Sequence, residues 1–573
     1  MATIESKDKA PFRRYVLPEA KRHHLQPVLH AFNSLGIREY ELAKHEEISM
    51  SNLRNTEGFE IGWSWRPMNV TQFGPLQKYH RFNHLPGTYC MLSKKELYKN
   101  ILDLQGKHGE ENYNFVPKQY NLPHDKDSFI KAFHERNNLV VDDPRVQKDK
   151  DFGKRWLIKS QAHRGVSFFT GLDQLGSIMH NETMVAQCIE PLLIDGHKFD
   201  MGIHVAITSL DPMRIYIYDN AVIRICKLPY PDNLNGNSDK QSYVVVDYNP
   251  PWENNALKEY YDEIPTPKKE GTNHFEVLKK HMDSQGISGA EFEKTIRQDI
   301  VRLILGSRPH ILRGLKYNRR LNPTANFQPE HFFELFRFDF VVDSNGKPWL
   351  MEVNLSPNLK EKKFFKGATD RKVKENVVKD LLSMVTLQHT ERPEISIASS
   401  RYCDAHCNKT LVREFATKDC WSCPFWFSQE EREILQHTSL EYSHRGNYRL
   451  AFPEIAISTP PASMFLTQTS RDNLIEKYIA TFDPLHAAVT TLRRCIAESQ
   501  CNSHGDCILG KCACRFGYEG ENCEVPKYSA AKMLFVFATI ALIYIKSRDR
   551  NRKQGFGHNS FCFFKTKKLR KDV

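Results

Sequence analysis

Residues 332–357, FFELFRFDFVVDSNGKPWLMEVNLSP, constrain this chain more than any other stretch. An apolar run of aromatic and β-branched residues carries a carboxylate, Asp339. Turn formers follow at Asp343, Ser344, Asn345 and Gly346, and a second run, 349–353, carries Glu352 and leads to Asn354. Two such runs joined by a Gly-containing turn predict a hairpin. Side chains two apart on a strand share a face, so Glu352 and Asn354 project together, with Asp339 opposite them on the partner strand. Two carboxylates and an amide oxygen on one face suit Mg²⁺, which takes a few hard protein oxygens and completes its octahedron with nucleotide phosphates. The competing reading puts the same carboxylates on the wet face of a half-buried hairpin.

Four collinear blocks weigh against that second reading. The hairpin pattern Phe-Glu-Leu…Phe-Asp…Pro-Trp-Leu…Glu-Val-Asn…Pro is preceded by QCIEPLLIDGHKFDMGIHVAITSLDPMRIYIYDNAVIR at 187–224, WLIKSQAHRG at 156–165 and FNHLPGTYCMLSKKEL around Asn83. Together they resemble the tubulin–tyrosine ligase-like enzymes, over residues 80–390 and in that family's order. The resemblance implies an α/β (α+β) ATP-grasp fold and ATP-dependent amide formation. In that reaction ATP phosphorylates a carboxylate to an acyl phosphate, and the amine of an incoming amino acid displaces the phosphate. The implied cofactors are ATP and Mg²⁺, the implied acceptor is tubulin, and the amino acid most expected is glutamate.

The same resemblance implies roles for individual residues. Asp339, Glu352 and Asn354 would hold Mg²⁺, while Lys159, Lys198 and Arg224 would neutralise phosphate, with Arg224, Lys198 and Glu352 closest to catalysis. Arg164 and Gly165 open the loop that folds over the triphosphate. Gln187, Cys188 and Ile189 line the adenine pocket, and Asp200 and Asp247 belong to the nucleotide site. Two departures stand out. The family's second loop glycine is Ser167 here, and an arginine expected after Lys-Phe-Asp is Gly202. They motivate an alternative, a degenerate ATP-grasp protein acting by binding or adhesion. Restoring an arginine at Gly202 is expected to raise activity or leave it similar.

Composition narrows the partners. The net charge of +12 is concentrated: from Lys546 onward ten Lys or Arg face only Asp549 and Asp572, which leaves +4 for the other 545 residues. The basicity therefore belongs to a tail and says little about the catalytic core's substrate. No nucleic-acid partner is expected.

Along the chain, residues 1–20 are polar with no apolar signal-like run, and 21–150 read as small N-terminal and central α/β lobes. Trp63, Trp65 and Tyr89 there read as packing aromatics. Residues 151–390 form the ATP-grasp region, mainly strands to about 260, with surface loops at 229–242 and 249–275. Helical periodicity marks 291–305 and 370–387. A Cys-containing linker is expected over 391–490. Cys90, Cys188, Cys226 and Cys562 read as ordinary scattered thiols.

Six cysteines at 495–523 follow C-x5-C-x5-C-x4-C-x-C-x8-C with glycines at the turns. This resembles an EGF-like module, expected over 495–524. So few residues cannot bury an adequate core, so disulfides must make up the deficit. Spacing leaves the connectivity open; the resemblance implies Cys495–Cys507, Cys501–Cys512 and Cys514–Cys523. Cys403, Cys407, Cys420 and Cys423 fit either a tetrahedral zinc site or two disulfides, with disulfides favoured by a shared oxidising compartment. Residues 528–545 contain a mostly apolar stretch of 13 residues at 533–545, about 20 Å as a helix against a roughly 30 Å hydrocarbon core. They are expected to form a single membrane span, with the basic tail at 546–573 cytosolic. That arrangement sets tubulin against an extracytoplasmic protein acceptor, because the ligase region and the oxidised module lie on the same side of the span.

Overall fold

The computed structural model of the protein describes residues 14–17, 24–40, 58–159, 166–179, 183–235, 238–245, 248–262, 272–360, 370–386, 400–407, 423–453, 469–482 and the short strands 505–508, 511–514, 518–519 and 525–526. The chain divides into two units, Met1–Ile395 with Phe427–His486, and Ser396–Trp426 with Ala487–Val573.

The first unit is built on an eleven-stranded sheet. Its strands are β1 (Arg14–Val16), β2 (Arg38–Glu39), β3 (Ile61–Gly62) and β4 (Arg81–Asn83), then, after a separate small sheet, β9 (Leu193–Ile194), β10 (His197–Leu210), β11 (Met213–Cys226), β12 (Tyr248–Asn249), β13 (Phe332–Val342), β14 (Pro348–Leu355) and β15 (Tyr448–Phe452). The small sheet holds β5 (Gln119–Asn121), β6 (Trp156–Lys159), β7 (Val166–Phe169) and β8 (Met184–Gln187), in the order β5-β8-β6-β7. Strand β13 is the hub. It pairs parallel with β4 at one end and antiparallel with β10 and β14 along the rest.

Every residue of β13 is buried, as in a strand covered on both faces. Phe336, Phe338 and Phe340 enter a core with Ile296, Ile300 and Ile304 of the helix Gly289–Leu321. On the opposite face Phe333 and Leu335 meet Val377, Val378 and Leu381 of the helix Arg371–Thr386. Each such fully buried side chain contributes about 1.5–3 kcal/mol of burial. Farther along that second face the apolar packing stops and Arg337 and Asp339 take over. Neighbouring strands make the same transition: Ala206 gives way to Gly202 and Asp200 on β10, and Tyr218 to Arg224 on β11. One sheet face is thus half core and half site.

The hairpin turn follows its chemistry. Asp343 Oδ1 accepts the backbone N–H groups of Asn345 and Lys347, its Oδ2 accepts from Trp349 Nε1 at 2.8 Å, and Gly346 takes φ +84°. A register shift between Asp339 and Phe340 then lets Leu350 face the core opposite Phe340 while Glu352 faces Asp339; bulges re-aim side chains in this way. The Asn83 block braces the hairpin's end. His84 Nδ1 lies 3.2 Å from Glu334 Oε1, and Ser356 Oγ donates to the Trp65 carbonyl at 2.8 Å. Gly87 and Gly314 allow that block to lie backbone-to-backbone on the long helix, where a Cβ at Gly87 would come 2.5 Å from the His310 carbonyl oxygen.

Several expectations need correction. The stretch 391–490 is not simply a linker. Strand β15 extends the sheet beside β11, and buried ion pairs tie the helix Gln429–Ser443 to the sheet and the helix Ser470–Phe482 to the long helix Gly289–Leu321. Arg214 Nε and Nη2 donate to the Glu441 carboxylate at 2.7 and 2.8 Å, and Thr208 Oγ1 donates to it at 2.7 Å. Asp472 bonds Arg308 and accepts the Met213 N–H at 2.7 Å. The loops read at 229–242 and 249–275 carry short helices, Lys240–Tyr243 and Asn255–Asp262. Trp63 is buried and Trp65 packs against the core, but Tyr89 is 65% exposed and does no packing there.

The expectation of a single-pass membrane protein is also withdrawn. Among the described residues no helix is long and apolar enough to cross a membrane, and residues 528–545 lie outside them. In the second unit, Cys403 and Cys423 form a disulfide and Cys407 is disulfide-bonded too, the disulfide arrangement of the two that the spacing fits, with the three sulfurs within 4.8 Å of one another. Their sulfurs pack with Phe425 and Trp426. Of the expected EGF-like module, two short antiparallel pairs are described, Gly505–Ile508 with Lys511–Cys514 and Tyr518–Glu519 with Val525–Pro526. Its cysteine side chains, and hence the expected pairing, lie outside what is described, as do Cys420 and Cys562.

Candidate active site

The small sheet faces the polar half of the large sheet across a cavity of about 280 Å³. One wall brings Leu157 and Lys159 from β6, Val166 and Phe168 from β7, and Gln187, Cys188 and Ile189 from the end of β8 onward. The other brings Lys198 and Asp200 from β10, Arg224 from β11, Asp339 from β13 and Glu352 from β14. Leu234, Tyr243, Val341 and Met351 add apolar surface. A concave site of apolar walls with a few convergent charges is the usual form of a small-molecule pocket.

Asp339 and Glu352 are direct register partners, and Gly202 pairs with Asp339 on the other side. Asn354 Nδ2 donates to Asp339 Oδ2 at 3.0 Å and to Glu352 Oε1 at 3.2 Å, so the three side chains form one cluster. Arg224 Nε donates to Asp200 Oδ1 at 2.6 Å, and its Nη2 stands 3.3 Å from Asp339 Oδ2. Lys94, at the start of the helix Lys94–His108, lies 3.7 Å from Glu352 Oε2.

The electrostatics follow from burial opposed by pairing. Burial alone would raise the Asp339 carboxyl, but Arg337 and Arg224 overcome it and hold it at about 2. Burial also works against the Arg224 charge, and Asp200 and Asp339 more than restore it. Lys159 has no such partner among the described residues: burial, with Lys94 nearby, brings its ammonium down to about 8. An unpaired ammonium at a cavity wall is poised for an anion. Burial pushes the Cys188 thiol up to about 12, so it lines the cavity as a small apolar group rather than as a nucleophile.

These residues fit the implied ligands. Asp339, Glu352 and the Asn354 amide are hard donors suited to Mg²⁺; Asn354 now presents its NH₂ and would have to turn to offer its oxygen. Lys159, Lys198 and Arg224 match a polyphosphate, and Leu157, Phe168, Ile189 and Met351 match a flat base. Of the expected nucleotide residues, Arg164, Gly165 and Asp247 lie outside the described residues. Ser167 sits exposed in β7 opposite Ile158. Two site residues escaped the sequence reading. Lys94 is an ordinary surface-type lysine in its own helix. Arg337 covers Gly202, the place where the resemblance implies an arginine.

Comparison with known proteins covers both parts of the chain. Residues 75–394 match the tubulin-tyrosine ligase family, and residues 498–526 match a teneurin-like EGF domain. The chain is 30% identical over 382 residues to the probable tubulin polyglutamylase ttll-15 of Caenorhabditis elegans, covering 63% of this chain and 66% of that protein. To the tubulin monoglutamylase TTLL4 of Mus musculus it is 24% identical over 368 residues, 64% of this chain and 28% of that one. To the probable beta-tubulin polyglutamylase of Tetrahymena thermophila the figures are 26% over 345 residues, 59% and 26%. The chain thus spans about a quarter of the length of the last two.

Proposed function

The chain belongs to the tubulin-tyrosine ligase family, and from that premise we propose that it is an ATP-dependent ligase that joins an amino acid, glutamate, to a carboxylate of tubulin. The observation that carries the reading is the convergence of Asp339, Glu352 and Asn354 with Lys159, Lys198 and Arg224 on one cavity between two sheets. Relatives named as tubulin glutamylases support the choice of acceptor and amino acid.

ATP, when bound, supplies the phosphoryl group that activates the acceptor carboxylate as an acyl phosphate; the amine nitrogen of the amino acid then bonds to the carbonyl carbon and phosphate leaves. This chain's own contribution is positioning and charge neutralisation. Lys159 and Lys198 would balance phosphate charge from opposite walls. Asp200 holds Arg224 in place through the 2.6 Å bond, so that its remaining N–H groups face the Asp339 cluster. Asp339, Glu352 and Asn354 would hold Mg²⁺. The apolar walls from β6, β7 and β14 limit water around the reacting groups.

The degenerate alternative rested chiefly on Gly202. A guanidinium does stand at that place, carried by Arg337 from the neighbouring strand, which favours the enzyme over the pure binding protein. Incubation of the purified chain with tubulin, ATP, Mg²⁺ and radiolabelled glutamate tests the proposal. Label should enter tubulin in an ATP-dependent manner. ATP-dependent labelling with another amino acid but not glutamate would contradict the glutamate assignment, and no labelling with any amino acid would contradict the ligase.

A further inference from the structure

Both oxygens of Asp339 are already taken. Arg337 Nε donates to Oδ1 at 2.6 Å and Arg337 Nη2 to Oδ2 at 2.7 Å, with Asn354 Nδ2 and Arg224 Nη2 also on Oδ2. A two-point guanidinium–carboxylate fork is directional and strong. A divalent cation at Asp339 has to compete with that fork for the carboxylate's charge and lone pairs.

Gly202 makes the fork possible. It lies in register beside Asp339, and a Cβ there would sit 2.7 Å from Arg337 Cδ, 3.0 Å from Arg337 Nε and 3.1 Å from Asp339 Oδ1. Those atoms belong to the clamped part of the arginine, not to a free chain end. Among the described residues no second carboxylate is hydrogen-bonded to Arg337, although Glu352 acts on it through space. Its register partners are His204 on β10 and Asn354 on β14. His204 is fully buried with neither ring nitrogen hydrogen-bonded. Among the described residues Asp339 is the one carboxylate ion-paired with Arg337.

We propose that Gly202 and Arg337 are a matched pair that keeps Asp339 occupied, so that a divalent cation gains this ligand only when an incoming polyphosphate offers the guanidinium another anion. The inference rests on reading the cavity as a nucleotide site. It makes Arg337 a positioning residue that couples two ligands. Because such coupling is reciprocal, cation and nucleotide each raise the other's affinity by the same factor. The cation alone binds weakly, which keeps the site from filling unproductively.

The test is Mn²⁺ binding to the full chain without nucleotide, read by electron paramagnetic resonance of the free ion, with the melting temperature as a check on folding. Arg337→Met should raise the affinity for Mn²⁺ alone by about tenfold, the worth of one charged hydrogen-bonded contact. Gly202→Ala keeps every charge while its Cβ presses closest on Arg337 and more weakly on Asp339 Oδ1, so a rise there cannot come from removing a positive charge. Arg337→Lys, which keeps the charge and loses the fork, should fall between wild type and Met, and it carries the test if Arg337→Met does not fold. In the variants, adding ATP should improve Mn²⁺ binding less than in wild type. Unchanged or weaker Mn²⁺ affinity in folded Gly202→Ala and Arg337→Lys overturns the pairing while leaving the nucleotide reading intact, provided wild type binds Mn·ATP. Absence of Mn·ATP binding to wild type overturns both.

Discussion

Lys159 carries a single-residue cost that can be measured. Its ammonium is buried at the cavity wall with no carboxylate among the described residues bonded to it, and its pKa falls from the ordinary lysine value to about 8. The folded chain therefore binds fewer protons than the unfolded chain between about pH 8 and the normal lysine range, so stability rises with pH across that window. Below it the ammonium's burial costs on the order of 3 kcal/mol. Lys159→Met should raise the melting temperature at pH 7, with the gain shrinking as pH climbs past 8, and should weaken ATP binding. A variant that melts lower than wild type at pH 7 would contradict this account of the lysine. Gly202→Arg, expected from sequence to help or do no harm, has the opposite prospect. Its Cβ alone meets Arg337 at 2.7 Å, so ligation of labelled glutamate should fall well below wild type, and activity at or above wild type would refute the steric argument. Asp339 and Glu352 could be found in the sequence because strand periodicity and a turn place them. Arg337 could not, because its aim depends on an absent side chain at a position 135 residues away in the chain.

Among elements, the hairpin was the most legible, since alternation, turn chemistry and a carboxylate in an apolar run all agree. Its bulge was not, because a register shift leaves no mark in residue type. The helices Gly289–Leu321 and Arg371–Thr386 were found by periodicity, though the first runs well past the 291–305 window. Strand β15 and the two helices around it were missed for a physical reason. Their attachment joins residues far apart in the chain, through the β11–β15 ladder and through ion pairs more than 160 positions apart, Arg214 with Glu441 and Arg308 with Asp472. Neither end is unusual alone. Breaking one such buried pair leaves an uncompensated charge, which typically costs about 3–5 kcal/mol. Glu441→Ala should accordingly lower the urea midpoint by an amount of that order and loosen Gln429–Ser443, measurable by hydrogen exchange at its amides. A loss under about 1 kcal/mol would mean that the C-terminal elements are only loosely attached to the sheet.

At the scale of the first unit, one β-sheet face is divided between an apolar core under Arg371–Thr386 and a charged cavity under the small sheet. Function enters where the apolar side chains stop. That division explains why the long strands read as almost uniformly apolar and still carry Asp200, Arg224 and Asp339. The small sheet's own residues, Lys159 and Gln187–Ile189, were placed by resemblance, and their convergence with the hairpin across the cavity is visible only in three dimensions. The second unit was legible through cysteine spacing, where the choice of disulfide over zinc at Cys403 and Cys423 followed from the neighbouring module. The most direct test of the whole account is calorimetric titration of Mg·ATP into wild type and Glu352→Gln, with melting curves of both. Removing one charge from the cluster should weaken Mg·ATP binding at least tenfold and shift the melting temperature little. Equal Mg·ATP affinity in the two proteins would contradict the assignment of this hairpin to the nucleotide's metal.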